Sequence, residues 1–335
     1  MIDTRRHRHY LNRRCGLTGE THAQAVGCVR ADAADSPLIP EASSLAQACF
    51  EARVLFALGM SMLSGDPTTR LRVPAAGRGP FGIMASLPTR NTLTLVPSAD
   101  PATFAKLVLR LVNIHDLETD TVSGVAGLRL AFTHSNTILM DTIHGGRITV
   151  TGASKIEWCT VIARELVTLG ASSRAVTRPD DHVPTACYNS VLLNPDVAQD
   201  QVTGRLLSAV LRRARLFHTT GTLNFLDLWN NSTTDRTAIE VEWSGDLPHG
   251  LVIDRLTDPL LGLPLRVDCV ERFVCVCDPC LYQGYEVPVR HTDPTINAVI
   301  HLRRSDLYDA EPSPDKVCAT RGRGPLVYDR IRTWQ

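Results

Sequence analysis

The segment from Gly146 to Gly170 limits what this chain can fold into more than any other. Arg147, Thr149 and Thr151 alternate with Ile148 and Val150, the period of a strand with one polar and one apolar face. Gly152-Ala153 then makes a tight turn, and Ser154 with Glu157 forms a capping box that starts a helix. Ile156, Cys159, Ala163 and Leu166 are the expected buried stripe of that helix, and Gly170 stops it. A strand that feeds directly into an amphipathic helix demands a layered domain, because each element has a face that must be covered.

The chain upstream fits the same architecture. Leu93 and Leu95 alternate with Thr92 and Thr94, which predicts a half-buried strand starting at Asn91. Asp100 caps the next helix, Pro101 takes its first position, and Phe104, Leu107, Val108, Leu111 and Val112 form its apolar stripe. Strands follow near 125–132, 136–143 and 147–151. Strand, helix, several antiparallel strands and helix describe an α+β layer, with helices on one sheet face and the other face open.

Around this repeat, at 83–175, lie other segments. Residues 1–40 read as a poorly ordered basic arm carrying Arg5, Arg6, Arg8, Arg13 and Arg14. Residues 41–82 read as a helix over about 42–63, then a linker punctuated by Pro74, Gly77, Gly79 and Pro80. The pattern restarts at Tyr188-Asn189-Ser190-Val191-Leu192-Leu193, which echoes Arg90-Asn91-Thr92-Leu93-Thr94-Leu95. Residues 183–260 therefore read as a second, degenerate repeat, and 261–335 as a cysteine-containing extension.

The strand, Thr151-Gly152-Ala153 turn and capped helix resemble the end of each repeat in the TATA-box-binding protein family. The resemblance covers about 88–170 and, more loosely, 186–255. It implies a pseudo-repeat saddle, a curved antiparallel sheet with helices above it, here extended at both ends. In that family an Asn opens the first strand of each repeat and reaches base acceptors in the minor groove; Asn91 and Asn189 match those positions. Arg147, Thr149 and Thr151 would face the groove beside them. The implied function is non-enzymatic binding of duplex DNA in transcription initiation, with initiation proteins as partners. The family also wedges base steps open with phenylalanines, whereas the matching positions near Val125 and Ile143 are aliphatic. Asp141 would bring a carboxylate onto the same strand, facing phosphates. These departures give the alternative expectation, a structural or capsid-associated scaffold that keeps the saddle and binds protein.

Charge bears on both readings. Lys plus Arg and Asp plus Glu are balanced at 35 each, so nucleic-acid binding would need a local basic surface. Abundant Arg and Ala with few lysines suggest a GC-rich genome, with a viral source as the expectation. The ten cysteines, the opening Met1-Ile2-Asp3-Thr4-Arg5-Arg6 and the lack of a long uncharged apolar run point away from secretion and from a membrane span. The expected location is nuclear, cytoplasmic or virion-associated. Cys277-Asp278-Pro279-Cys280 is a C-x-x-C knuckle. A structural zinc there would draw further ligands from Cys269, Cys275, His291, His301 and Cys318, with Cys269 and His291 the expected pair; reduced buried cysteines are the other outcome. Thr151-Gly152-Ala153-Ser154 lacks the further glycines of a dinucleotide-binding turn, and His144-Gly145-Gly146 has no nucleophile elbow to accompany it. No catalytic constellation is legible.

Overall fold

A computed structural model of the chain describes residues 4–31, 37–59, 82–178, 180–181, 201–216, 223–230, 237–245, 249–267, 271–275, 283–305 and 326–330. It is an α+β protein with open, mostly antiparallel sheets, and it divides into two compact units. The first takes in Met1–Met60 and Gly77–Leu216, and the second is built on the chain from Phe217 onward.

The first unit begins with three helices, α1 (Thr4–Thr18), α2 (His22–Ala31) and α3 (Leu45–Gly59). A hairpin follows, β1 (Ile83–Pro88) and β2 (Leu93–Pro97), then α4 (Pro101–Leu111). Next come β3 (Asn113–Asp116), β4 (Thr121–Val122), β5 (Leu128–Phe132), β6 (Asn136–Asp141) and β7 (Arg147–Thr151). The unit closes with α5 (Lys155–Leu169), β8 (Ser173–Val176) and α6 (Gln201–Leu211). Five strands form one sheet in the order β1-β2-β7-β6-β5, and β4-β3-β8 form a small second one. The pair β2–β7 is parallel, a departure from the all-antiparallel sheet expected, because α4 carries the chain over before β7 returns beside β2.

Local signals place the helices as expected. The Asp100 carboxylate accepts from the Thr103 amide at 2.8 Å, with Pro101 at the first position of α4. At α5 the Glu157 carboxylate accepts from the Ser154 amide at 2.7 Å, and Ser154 Oγ accepts from the Glu157 amide at 3.3 Å. The face that α5 buries is not the expected one. Trp158, Val161 and Ile162 are buried, whereas Ile156, Cys159 and Ala163 are exposed. Trp158 decides the rotation: it is fully buried, edge-on to Phe104 of α4 with ring centroids 5.7 Å apart, and this large ring outweighs smaller apolar groups on the other stripe.

The basic arm also departs from expectation. Among its described residues Thr4–Thr18 and His22–Ala31 are helical, as α1 and α2, and Arg14 is fully buried rather than solvated. Arg14 donates to both oxygens of Glu20 at 2.6 and 2.8 Å and to the Pro88 carbonyl at 2.9 Å, which joins α1 to the end of β1. A second buried pair ties α3 to the end of α6. Glu51 accepts from Arg212 Nε at 2.8 Å, Arg212 Nη2 at 2.7 Å, Ser208 Oγ at 2.5 Å and Gln47 Nε2 at 2.8 Å. Buried charges persist where each has a partner and the remaining donors find carbonyls. Arg212 meets that condition through Pro40 and Thr89 carbonyls at 2.9 and 2.7 Å. The predicted linker falls mostly outside the described residues, but from Ile83 the chain is already strand.

In the second unit, β9 (Leu223–Asn230), β10 (Thr237–Gly245) and α7 (His249–Leu256) precede β11 (Leu265–Val267), β12 (Glu271–Cys275), β13 (Gln283–His291), β14 (Ala298–Ser305) and β15 (Leu326–Arg330). Its main sheet runs β15-β12-β13-β14-β10-β9, with β11 on β13. Strand β10 pairs in parallel with β14 from Thr237–Ala298 to Ser244–Ser305, so this sheet runs across residue 260, where the sequence suggested a boundary.

Candidate functional site

The five-stranded sheet of the first unit has two unlike faces, and its register shows why. One row across all five strands is Pro88, Leu93, Ile148, Leu139 and Leu130, every member buried. The next core row is Ser86, Leu95, Val150, Thr137 and Phe132. The helices lie on this side: Ser86 Oγ donates to the Arg212 carbonyl at 2.8 Å, Arg53 of α3 reaches Asp141, and Lys155 of α5 sits 5.7 Å over the Phe132 ring. Between these rows lies the opposite face, where Leu87, Thr94, Thr149, Ile138 and Ala131 form a row of half-buried side chains. At about 4.8 Å per strand the row is roughly 19 Å wide. Val96, Thr151 with Asn136, and Met140 beside Arg147 extend it.

This half-exposed face is the candidate site, and it is chemically mild. Threonine hydroxyls and short aliphatic groups make a shallow surface, and its rows carry no carboxylate. Its exposed cation is Arg147, at the edge of the patch. Arg129, paired through Met140 to the same row, is buried and donates to the Asp181 carbonyl at 3.1 and 2.6 Å. Four other arginines of this unit are likewise turned inward, Arg14, Arg53, Arg212 and Arg213, while the exposed ones, such as Arg164, Arg174 and Arg205, lie off the rows of this face. Desolvation holds the pKa of Arg213 down to about 10, with the Glu41 charge opposing the shift and the neighbouring Arg212 and Arg14 charges adding to it.

The residues expected at the groove are distributed unevenly. Arg147, Thr149 and Thr151 lie on one face of β7 as the alternation required. Asn91 is exposed in the β1–β2 turn, two residues before β2, where the Thr89 amide donates to the Thr92 carbonyl at 2.9 Å. Asn189 lies outside the described residues. The two wedge positions are off the face altogether. Val125 is fully buried in the turn before β5, and Ile143 is exposed in the β6–β7 turn. Asp141 points into the core, 2.6 Å from Arg53, and accepts from the Ile143 and His144 amides at 3.0 and 3.1 Å. The objection that it would face phosphates is thereby removed. His144 is part of that turn, with Nδ1 3.5 Å from the Asp141 carboxylate.

Sequence reading missed Thr94, Ile138 and Met140 as members of the site. The alternation Asn136, Ile138, Met140 was the available signal, but apolar residues at those positions look like core until the register assigns them to the open side.

Of the metal candidates, Cys269, Cys277 and Cys280 lie outside the described residues. His291 ends β13, where its Nδ1 accepts from the Asp293 amide at 3.1 Å, leaving Nε2 for any ligand. Cys275 ends β12 opposite Leu326, and His301 is half-buried in β14. Among the described residues no group of three His, Cys, Asp or Glu side chains is placed to hold a metal ion. No helix among them is long and apolar enough to cross a membrane. Compared with known proteins, the chain matches no family model, no characterised protein and no solved structure.

Proposed function

We propose that this chain is a non-enzymatic assembly protein whose first unit binds a protein partner through the half-exposed sheet face. The observation that carries the reading is the five-strand row Leu87, Thr94, Thr149, Ile138, Ala131, a neutral and shallow patch with helices on its other side. Phosphate binding is driven by cations that displace counterions, and this face offers Arg147 at its edge while other arginines neutralise carboxylates inside. A partner with a neutral, partly apolar surface suits the face better. A helix-covered sheet with an open face is also the layout implied by the TATA-box-binding resemblance, and the Thr149–Thr151 pair supports minor-groove binding as the second reading.

One pair of measurements separates them. Extended peptides selected from a random displayed library against the full chain should lose binding to Ile138→Asp, which puts a charge mid-row while leaving the core rows intact. Fluorescence anisotropy with A·T-rich and G·C-rich duplexes should show salt-sensitive binding without base preference. An A·T preference that survives physiological salt and is lost in Thr149→Asp would replace the assembly reading with DNA recognition.

A further inference from the structure

Helix α5 turns an unusual surface to solvent. Its own unit covers Trp158, Val161 and Ile162, on one side. On the other, Ile156 is 77% and Val167 83% exposed, with Thr160 and Ala163 exposed between them. The spacing 156, 160, 163, 167 is that of alternating d and a positions in a heptad seam, and the buried residues fall at the b, c and f positions opposite. A lone exposed leucine or valine needs no explanation, but a seam about three turns long facing away from its domain is a helix-pairing surface.

The flanking charges identify what covers it. In this register Glu157 and Arg164 occupy the two e positions, and both are exposed. In an antiparallel helix pair, a faces d and e faces e of the partner. Pairing Thr160 with Ala163 and Ile156 with Val167 of a second copy sets Glu157 beside Arg164 of that copy, and the twofold axis repeats the contact. In a parallel pair e faces g of the partner, which would set Arg164 beside Cys159 and bring Glu157 to no charged group. Glu157 is held ionised for this role, its pKa lowered by hydrogen bonds from the Ser154 amide and hydroxyl. The capping contacts use Oε2.

We infer that the exposed face of α5 is a homodimerisation surface, joining two copies of this chain through an antiparallel α5–α5 pair with reciprocal Glu157–Arg164 contacts. A helix of 15 residues is about 22 Å long, so the pair buries less than the standard interface of about 1,200–2,000 Å². The dimer is therefore weak and concentration-dependent. Because α5 lies on the core side of its sheet, dimerisation leaves the half-exposed sheet face of each copy uncovered.

Sedimentation velocity of the full chain, in reducing buffer because Cys159 is exposed beside the seam, tests this up to hundreds of micromolar. Wild type should pass from monomer to dimer with concentration. Val167→Asp should remain monomeric, and Arg164→Glu should weaken the dimer about tenfold by setting like charges together twice. Glu157→Arg alone should behave similarly, and an equal mixture of Glu157→Arg with Arg164→Glu chains should restore association as a heterodimer. Circular dichroism checks that each variant is folded. A wild type that stays monomeric throughout, or a dimer that Val167→Asp and Arg164→Glu leave unchanged, would overturn the inference. Dimerisation by the single-charge variants without rescue on mixing would overturn the antiparallel register.

Discussion

Replacing Glu51 with alanine should cost the first unit about 3–5 kcal/mol, the loss expected when one partner of a buried ion pair is removed. The structure gives the reason for the size. The Glu51 carboxylate accepts four hydrogen bonds, from Gln47, Ser208 and two nitrogens of Arg212, and both charged side chains are fully buried. After truncation the Arg212 guanidinium retains two carbonyl acceptors but no counter-charge. It can neither reach water nor readily release its proton. Glu51→Gln, which keeps the shape and part of the hydrogen bonding, should lose less. The double variant Glu51→Met with Arg212→Met should be more stable than the sum of the single losses by about 1–3 kcal/mol, because it leaves no stranded charge. Its recovery is incomplete, since the Pro40 and Thr89 carbonyls lose their donor. Native-state hydrogen exchange read by mass spectrometry is the assay of choice, because α3 and α6 peptides report the first unit while β13 and β14 peptides serve as a reference. A loss below about 1 kcal/mol in Glu51→Ala, or strict additivity in the double variant, would refute the claim that this pair fastens α3 to α6.

Two further outcomes follow from local geometry. Gly124 has φ +84° and a Cβ there would lie 2.2 Å from the Val112 carbonyl oxygen, whereas Gly152 has φ +80° with open space around it. Gly152→Ala should therefore cost about 1–2 kcal/mol of left-handed strain, and Gly124→Ala clearly more, as urea unfolding of the two variants would show. The capping box gives a pH signature. Glu157 has a lowered folded pKa, so its contribution is present above the ordinary carboxylate pKa of 4.5 and is lost as pH falls through the lower folded value. Ser154→Ala should lose about 1 kcal/mol at neutral pH, and the stability gap between wild type and Glu157→Gln should close on acidification below that range.

What could be read from the sequence was local. The start of α4 at Asp100-Pro101 and the start of α5 at Ser154 depend on groups within three residues of one another, so their signals survive without tertiary knowledge. The strand β7 likewise shows its two faces by alternation. Three things depended on distant partners. Arg14 looked like part of a solvated arm because Pro88, one of its acceptors, lies 74 residues away. The buried side of α5 was misread because its choice hangs on Trp158 meeting Phe104, and the helix has apolar residues on both sides. The candidate face itself was half legible. Thr149 and Thr151 were assigned to it from β7 alone, but the row joining them to Thr94 and Ile138 exists only through inter-strand register.

The Glu51–Arg212 pair also sets a schedule for synthesis. The two residues are 161 positions apart, and α3 meets α6 so closely that a Cβ on Gly204 would stand 3.1 Å from Cys49 Sγ. At about 5–20 residues per second, the ribosome takes roughly 8–32 s to reach Arg212 after placing Glu51. For an interval of that length α3 is without the helix that covers it and carries a carboxylate lacking its arginine among Phe50, Val54, Leu55 and Leu58. The first unit is thus completed late, when its last helix is delivered.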